Sequence, residues 1–153
     1  MSATLVQATD LMFSRIKHVI DNDVAAILGY IPETRWPYVA EPSKPNSAKI
    51  WLRVSSQVVM EGQSTLSTCV GAPGKKRYQT AGLIFIEAYI PKTTKDTTSI
   101  RLTASALRNA FRNAPSGEYG IRYYNARVND GIPPEELFYR FNVVTEYEYD
   151  EEF

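Results

Sequence analysis

The sequence predicts an α+β domain: a mostly antiparallel four-stranded sheet with helices packed on one face, in the order α-β-β-α-β-β. Three observations predict it. Two segments repeat their apolar residues at helical spacing, and four alternate apolar and polar residues as half-buried strands do. The connections are short, which favours antiparallel neighbours and helices segregated to one side of the sheet. At 153 residues the chain fits one domain, 1–153, large enough to bury a core without a disulfide or metal.

The first helix is expected over residues 4–28, where Leu5, Ala8, Leu11, Met12, Ile16, Val19 and Ile20 recur on one face. Thr4 can cap it, because a hydroxyl there accepts a hydrogen bond from a free amide of the first turn. Gly29 is a suitable stop. Residues 31–47 contain Pro32, Pro37, Pro42 and Pro45, so neither a helix interior nor a central strand survives there. That stretch reads as an extended surface connection, with Trp36 and Tyr38 docked on the domain. Residues 50–60 alternate and form the first strand, with Ile50, Leu52, Val54 and Val58 on one side. The long, Gly/Ser/Thr-rich run 61–76 follows as a loop.

The second strand runs over 77–90 and ends at Pro91. It is apolar on both faces, which points to a central strand covered twice. Leu102, Ala106, Leu107, Ala110 and Phe111 place the second helix over 98–113, capped by Asp96 or Thr97 and ended by Pro115-Ser116-Gly117. Residues 121–128 form the third strand and 137–149 the fourth, joined by a turn at Asn129-Asp130-Gly131.

Composition narrows the function classes. Acids and bases cancel at 17 each, so no electrostatic argument favours DNA or an anionic membrane as the main partner. No apolar run reaches the ~18 residues of a membrane span. The N-terminus lacks the basic and apolar regions of a signal peptide, so the expected site of synthesis is the cytoplasm. Cys69 is the single cysteine, which excludes an intrachain disulfide and a cysteine-based zinc cluster. The ten tyrosines suit a contact surface, since tyrosine joins area to a polar tip.

Chemistry finds little purchase. His18, the single histidine, lies within the first helix, and a surface role is the simpler reading than a catalytic base. Cys69 has no base among its sequence neighbours and reads as a small loop residue. Gly71-Ala72-Pro73-Gly74-Lys75-Lys76 departs from a phosphate loop in spacing, in the residue after the lysine and in the elements around it. Glu146 and Glu148 stand ~6.5–7 Å apart along one strand face. Such a pair can bind a divalent ion, yet a solvated acidic edge is commoner, and Asp150-Glu151-Glu152 extends it. No enzymatic activity, cofactor or metal is expected.

One asymmetry remains: Lys75-Lys76-Arg77 is basic, and the C-terminal run with Glu146, Glu148, Asp150 and Glu151 is acidic. These are either two solvated patches or the two halves of a contact between neighbouring copies. A contact of the second kind is heterologous and closes into a ring when its rotation permits.

Several pieces together resemble the tail terminator (tail completion) family of long-tailed bacteriophages and related prophage tail proteins. They are Trp51-Leu52-Arg53-Val54; Gly71-Ala72-Pro73-Gly74-Lys75-Lys76-Arg77-Tyr78; and Gly82 leading an apolar strand to Pro91. To these are added the helix ending near Phe111, Gly120-Ile121-Arg122, Tyr139-Arg140-Phe141-Asn142-Val143, and Tyr147-Glu148-Tyr149-Asp150-Glu151. The resemblance spans nearly the whole chain. One departure is Lys92-Thr93-Thr94-Lys95-Asp96, where such proteins often carry a glycine-rich turn. The resemblance implies a homohexameric ring in the virion that caps the tail tube, ends its polymerisation and presents a surface to the head–tail connector or neck protein. DNA would be only passing cargo. It further implies that the loop 61–76 and the connection with Lys92 and Lys95 contact neighbours. The alternatives are a neck or head-completion protein, or a small prophage-encoded regulatory or nucleic-acid-binding protein; the neutral charge and the lack of a recognition helix count against the last.

Overall fold

Thr4 opens helix α1 (Leu5–Val19) with a reciprocal capping box: the Thr4 hydroxyl accepts from the Gln7 amide at 3.2 Å, and Gln7 Oε1 accepts from the Thr4 amide at 3.1 Å. Ala8, Met12, Ile16 and Val19 form its buried stripe. The helix does not run unbroken to residue 28. Ile20–Val24 is a π-helical turn, after which α2 (Ala25–Leu28) ends at Gly29 with φ 80°. Inside the wide turn the Asn22 side-chain amide donates to the His18 carbonyl at 2.7 Å. That oxygen would take the Asn22 backbone amide in an α-helix, so the side chain competes with the regular ladder. Ile20 and Val24 stay buried across the change of pitch.

The computed structural model describes residues 4–40, 48–65, 76–115, 120–134 and 137–152. Its strands are β1 (Glu33–Arg35), β2 (Trp51–Thr65), β3 (Arg77–Pro91), β4 (Arg122–Asn129) and β5 (Phe138–Glu152), with helix α3 (Thr97–Arg112) between β3 and β4. They form one five-stranded sheet in the order β1-β2-β3-β5-β4. The fold is α+β as expected, but a four-stranded sheet of order α-β-β-α-β-β is corrected to five strands and a mixed sheet. The difference is β1, which pairs parallel with β2 from Glu33↔Trp51 to Arg35↔Arg53. Pro32 and Pro37 leave room between them for only a short strand, and one at the edge tolerates such neighbours. Every other pairing is antiparallel.

Strand β2 runs five residues past its expected end. Glu61, Gly62, Gln63 and Thr65 pair with Thr80, Gln79, Tyr78 and Arg77, following one register shift between Val58 and Met60 and crossing a second between Gln63 and Thr65. Their loop-like composition yields to the ladder that the partner strand offers. Of the connection between β2 and β3, residues 66–75 lie outside the described residues, and with them Cys69, Gly71, Gly74 and Lys75. Trp36 docks as expected, its ring 5.9 Å from Phe13. Tyr38 does not: it is fully exposed at φ 62°.

One apolar cluster joins α1, the π turn and α3 to a single face of the sheet. Leu52 and Val54 of β2, Ile84, Ile86, Ala88 and Ile90 of β3, and Phe141, Val143, Tyr147 and Tyr149 of β5 share that face. Helix α3 adds Ala104, Leu107, Ala110 and Phe111, and Asp96 caps it by accepting from Ser99 N at 3.0 Å. Gly82 sits where β2, β3 and the Tyr147 ring converge. A Cβ there would lie 2.4 Å from the Gln57 carbonyl oxygen and 2.6 Å from the Tyr147 hydroxyl.

Candidate interaction surface

Side chains alternate across a strand, so the register that sends Ile84 and Ile86 to the helices sends Leu83, Phe85, Glu87 and Tyr89 to the other face. That face also carries Trp51, Arg53, Ser55 and Gln57 from β2, and Arg140, Asn142, Val144, Glu146, Glu148 and Asp150 from β5. Central strand β3 was expected to be covered twice. Among the described residues no helix lies over this second face, and Leu83 and Phe85 remain half-buried there. The surface therefore has an apolar middle and two differently charged ends.

At the end near Pro91 three aromatic rings form a small cluster of their own: Trp51, Tyr89 and Phe138. Trp51 and Tyr89 stack with centroids 3.9 Å apart and planes 4° from parallel, while Phe138 meets both edge-on. Guanidinium groups cover them. Arg35 lies 4.8 Å and Arg53 5.4 Å from the Trp51 centroid, and Arg140 lies 5.9 Å from that of Tyr89. Each such contact is worth about 0.5–2 kcal/mol, rising with desolvation. Glu87 accepts from the Tyr89 hydroxyl at 2.8 Å. Burial, reinforced by that carboxylate, raises the Tyr89 pKa above its ordinary value. Sequence reasoning missed this cluster. Its signal was the shared parity of Trp51 with Arg53 and of Glu87 with Tyr89, but Arg35 joins only through β1.

Acidic side chains gather at the other end, where β4 neutralises them. Arg122 Nη2 lies 2.7 Å from Glu148 and 3.8 Å from Asp150, and Arg127 Nη1 lies 3.6 Å from Glu146. Tyr124 and Asn125 add hydrogen bonds to Glu148 and Glu146. The basic run lies beside the acidic one within the same chain: in the backbone register Arg77 pairs with Glu152 and Tyr78 with Glu151. On the helix-side face Lys76 and Glu151 line one cleft of about 420 Å³ with Glu61, Tyr78 and Thr80. The two charge groups singled out in the sequence are thus neighbours on adjacent strands.

Lys92 and Lys95 lie elsewhere. They are exposed on the connection from β3 to α3, where the Lys92 amide donates to the Leu137 carbonyl at 3.1 Å and its ammonium sits 5.7 Å from the Tyr139 ring centroid. Along β3 that connection is ~50 Å from Lys76, at ~3.3 Å per residue. Lys76, Arg77, Asp150 and Glu151 therefore lie at one end of the sheet and Lys92 and Lys95 at the other, with Glu146 opposite Leu83 near the middle of β3. His18 is on the exposed side of α1, 3.3 Å from the Asn22 side chain. Among the described residues no group of three His, Cys, Asp or Glu side chains is placed to hold a metal, and no helix is long and apolar enough to cross a membrane.

These features define a class: an α+β fold with one helical layer on a mixed sheet. Twelve solved chains match it. One of them is 13% identical, with the match covering 92% of this chain and 94% of that one at a TM-score of 0.57. At that identity the likeness concerns the fold alone. No protein-family model matches the chain, and no curated protein matches it.

Proposed function

We propose that this protein is a structural virion component: a homo-oligomeric ring, six copies round by its resemblance to tail terminators, that caps a phage tail tube and ends its polymerisation. Its other open side receives the head-side connector. One observation carries the reading beyond the resemblance. Among the described residues helices cover a single face of the sheet, and the opposite face and the outer edges of β2 beyond β1 and of β4 are left at the surface with apolar residues among them. A subunit that packs against copies of itself needs such surfaces, whereas a protein working alone tends to keep them small. At the acidic end Arg122 and Arg127 offset Glu148 and Glu146, so lateral packing there would rest on shape and apolar contact more than on long-range attraction.

The ring is tested by sedimentation and negative-stain imaging of the purified chain, followed by co-assembly with purified tail-tube protein. The expected result is a closed ring that binds tube ends and arrests their growth. Strictly monomeric material, with or without tube ends, would sink the proposal. A ring that ignores tube ends but binds the connector would move it to the neck.

A further inference from the structure

We infer that copies of this chain join edge to edge, strand β2 of one accepting strand β4 of the next in antiparallel pairing, so that the sheet continues from subunit to subunit. The inference rests on the ring reading above and specifies the surface that builds the ring.

Strand β1 covers only Trp51, Leu52 and Arg53 of the outer edge of β2. Among the described residues no strand lies on that outer edge of β2 beyond Arg53. The following stretch, residues 54–62, presents Val58, Val59 and Met60 at 46%, 63% and 57% exposure. Natural sheet edges are usually guarded by lysine, proline or inward-pointing charge. Residues 54–62 contain no lysine, arginine or proline, and Glu61 is their only charged group. This edge is built to be paired.

The same sheet supplies a matching strand. β4 is last in the strand order, on the opposite side. Its two arginines do not guard its outer edge: Arg122 and Arg127 fold inward onto Glu148 and Glu146 of β5. The eight residues of β4 fit within the longer stretch of β2 that β1 leaves free, which runs on to Thr65. Both strands carry a register shift near mid-length, between Val58 and Met60 in β2, which has a second between Gln63 and Thr65, and between Tyr124 and Arg127 in β4. Both therefore bend locally.

Direction decides between pairing modes. β2 is antiparallel to β3, β3 to β5, and β5 to β4, so β2 and β4 run oppositely within one subunit. Rotation about an axis along the strands preserves polarity. It brings β4 of one copy against β2 of the next as an antiparallel pair, continuing the ladder already present. Two different edges make the contact heterologous, the kind that closes into rings. Pairing β2 with a second β2 would instead stop at a dimer and leave β4 unused.

The test uses two edge variants of the full chain. Val59→Lys guards β2, and Tyr124→Lys with Asn129→Lys guards β4. Native mass and circular dichroism are read for each alone and for their equimolar mixture. Each variant alone is expected to be a folded monomer, with self-association weakened at least tenfold. The mixture is expected to form a heterodimer and nothing larger, because one intact β2 edge and one intact β4 edge remain between the two proteins. If V59K does not fold, Gln57→Lys on the same edge takes its place. A β4 variant that still assembles like the wild type overturns the inference, as does a mixture that stays monomeric; in both cases the ring itself stands. Wild-type protein that is monomeric at every concentration fails the ring reading first and this inference with it.

Discussion

Replacing Gly82 by alanine tests the packing of the sheet at its tightest point. The added methyl would stand 2.4 Å from the Gln57 carbonyl oxygen and 2.6 Å from the Tyr147 hydroxyl. The first contact is with backbone and cannot be relieved by a rotamer change; β2 and β3 would have to part by about 1 Å to restore ordinary contact. Overpacking of this kind costs about 1–3 kcal/mol. A glycine-to-alanine change also removes unfolded-chain entropy worth ~0.4–1 kcal/mol, which offsets part of that cost only where the native backbone accepts a side chain. Here the clash wins, and a net loss of about 1–2.5 kcal/mol follows. For a chain of this size each kcal/mol moves Tm by ~2–4 °C, so thermal denaturation should show a fall of roughly 2–10 °C. Removing the ring in a Gly82→Ala, Tyr147→Leu double variant should leave most of the alanine cost in place, measured against Tyr147→Leu alone, because the Gln57 carbonyl is unmoved. An unchanged or raised Tm for Gly82→Ala would refute the reasoning, and full rescue by Tyr147→Leu would show that the ring sets the cost.

Two further predictions concern the buried polar groups of β5. Thr145 is fully buried, and its hydroxyl has no hydrogen-bond partner among the described residues; Thr145→Val should stabilise the protein by about 1 kcal/mol, read from the denaturant midpoint at unchanged slope. Burial raises the pKa of both Tyr147 and Tyr149, with nearby Glu61 adding to it. The native state therefore holds these protons more tightly than the unfolded chain. Their contribution is complete below about pH 10, the ordinary tyrosine value, and is lost as pH rises through the folded-state pKa. Tm should fall above pH 10, and the Tyr147→Phe, Tyr149→Phe double variant should flatten that fall. An identical alkaline slope in wild type and variant would reject the assignment.

Much of the local structure is written in local chemistry. Thr4 and Asp96 start helices because each brings an oxygen to an otherwise unpaired amide, and Gly29 ends one because it adopts φ 80° without strain. The alternation of β5 separates Phe141, Val143, Tyr147 and Tyr149 from Arg140, Asn142, Glu146 and Glu148 without reference to any other strand. The π turn is less legible, because it depends on one amide capturing one carbonyl within an otherwise regular pattern.

Partnership between distant segments is what the sequence by itself leaves open. The residue types of 33–35 and 61–65 carry no strand signal of their own; β2 recruits the first and β3 the second, by offering a backbone ladder. The basic run at Lys76 and Arg77 and the acidic run at Glu146 to Glu151 are visible in the sequence as two patches. Their adjacency follows only from placing β5 beside β3, and the pairing of the acids with Arg122 and Arg127 only from placing β4 beside β5. Side-chain periodicity and end caps are short-range, fixed within a turn or two of chain. Strand order is chosen by the whole core at once, so the neutralised charges, the open face and the two sheet edges belong to the tertiary structure alone.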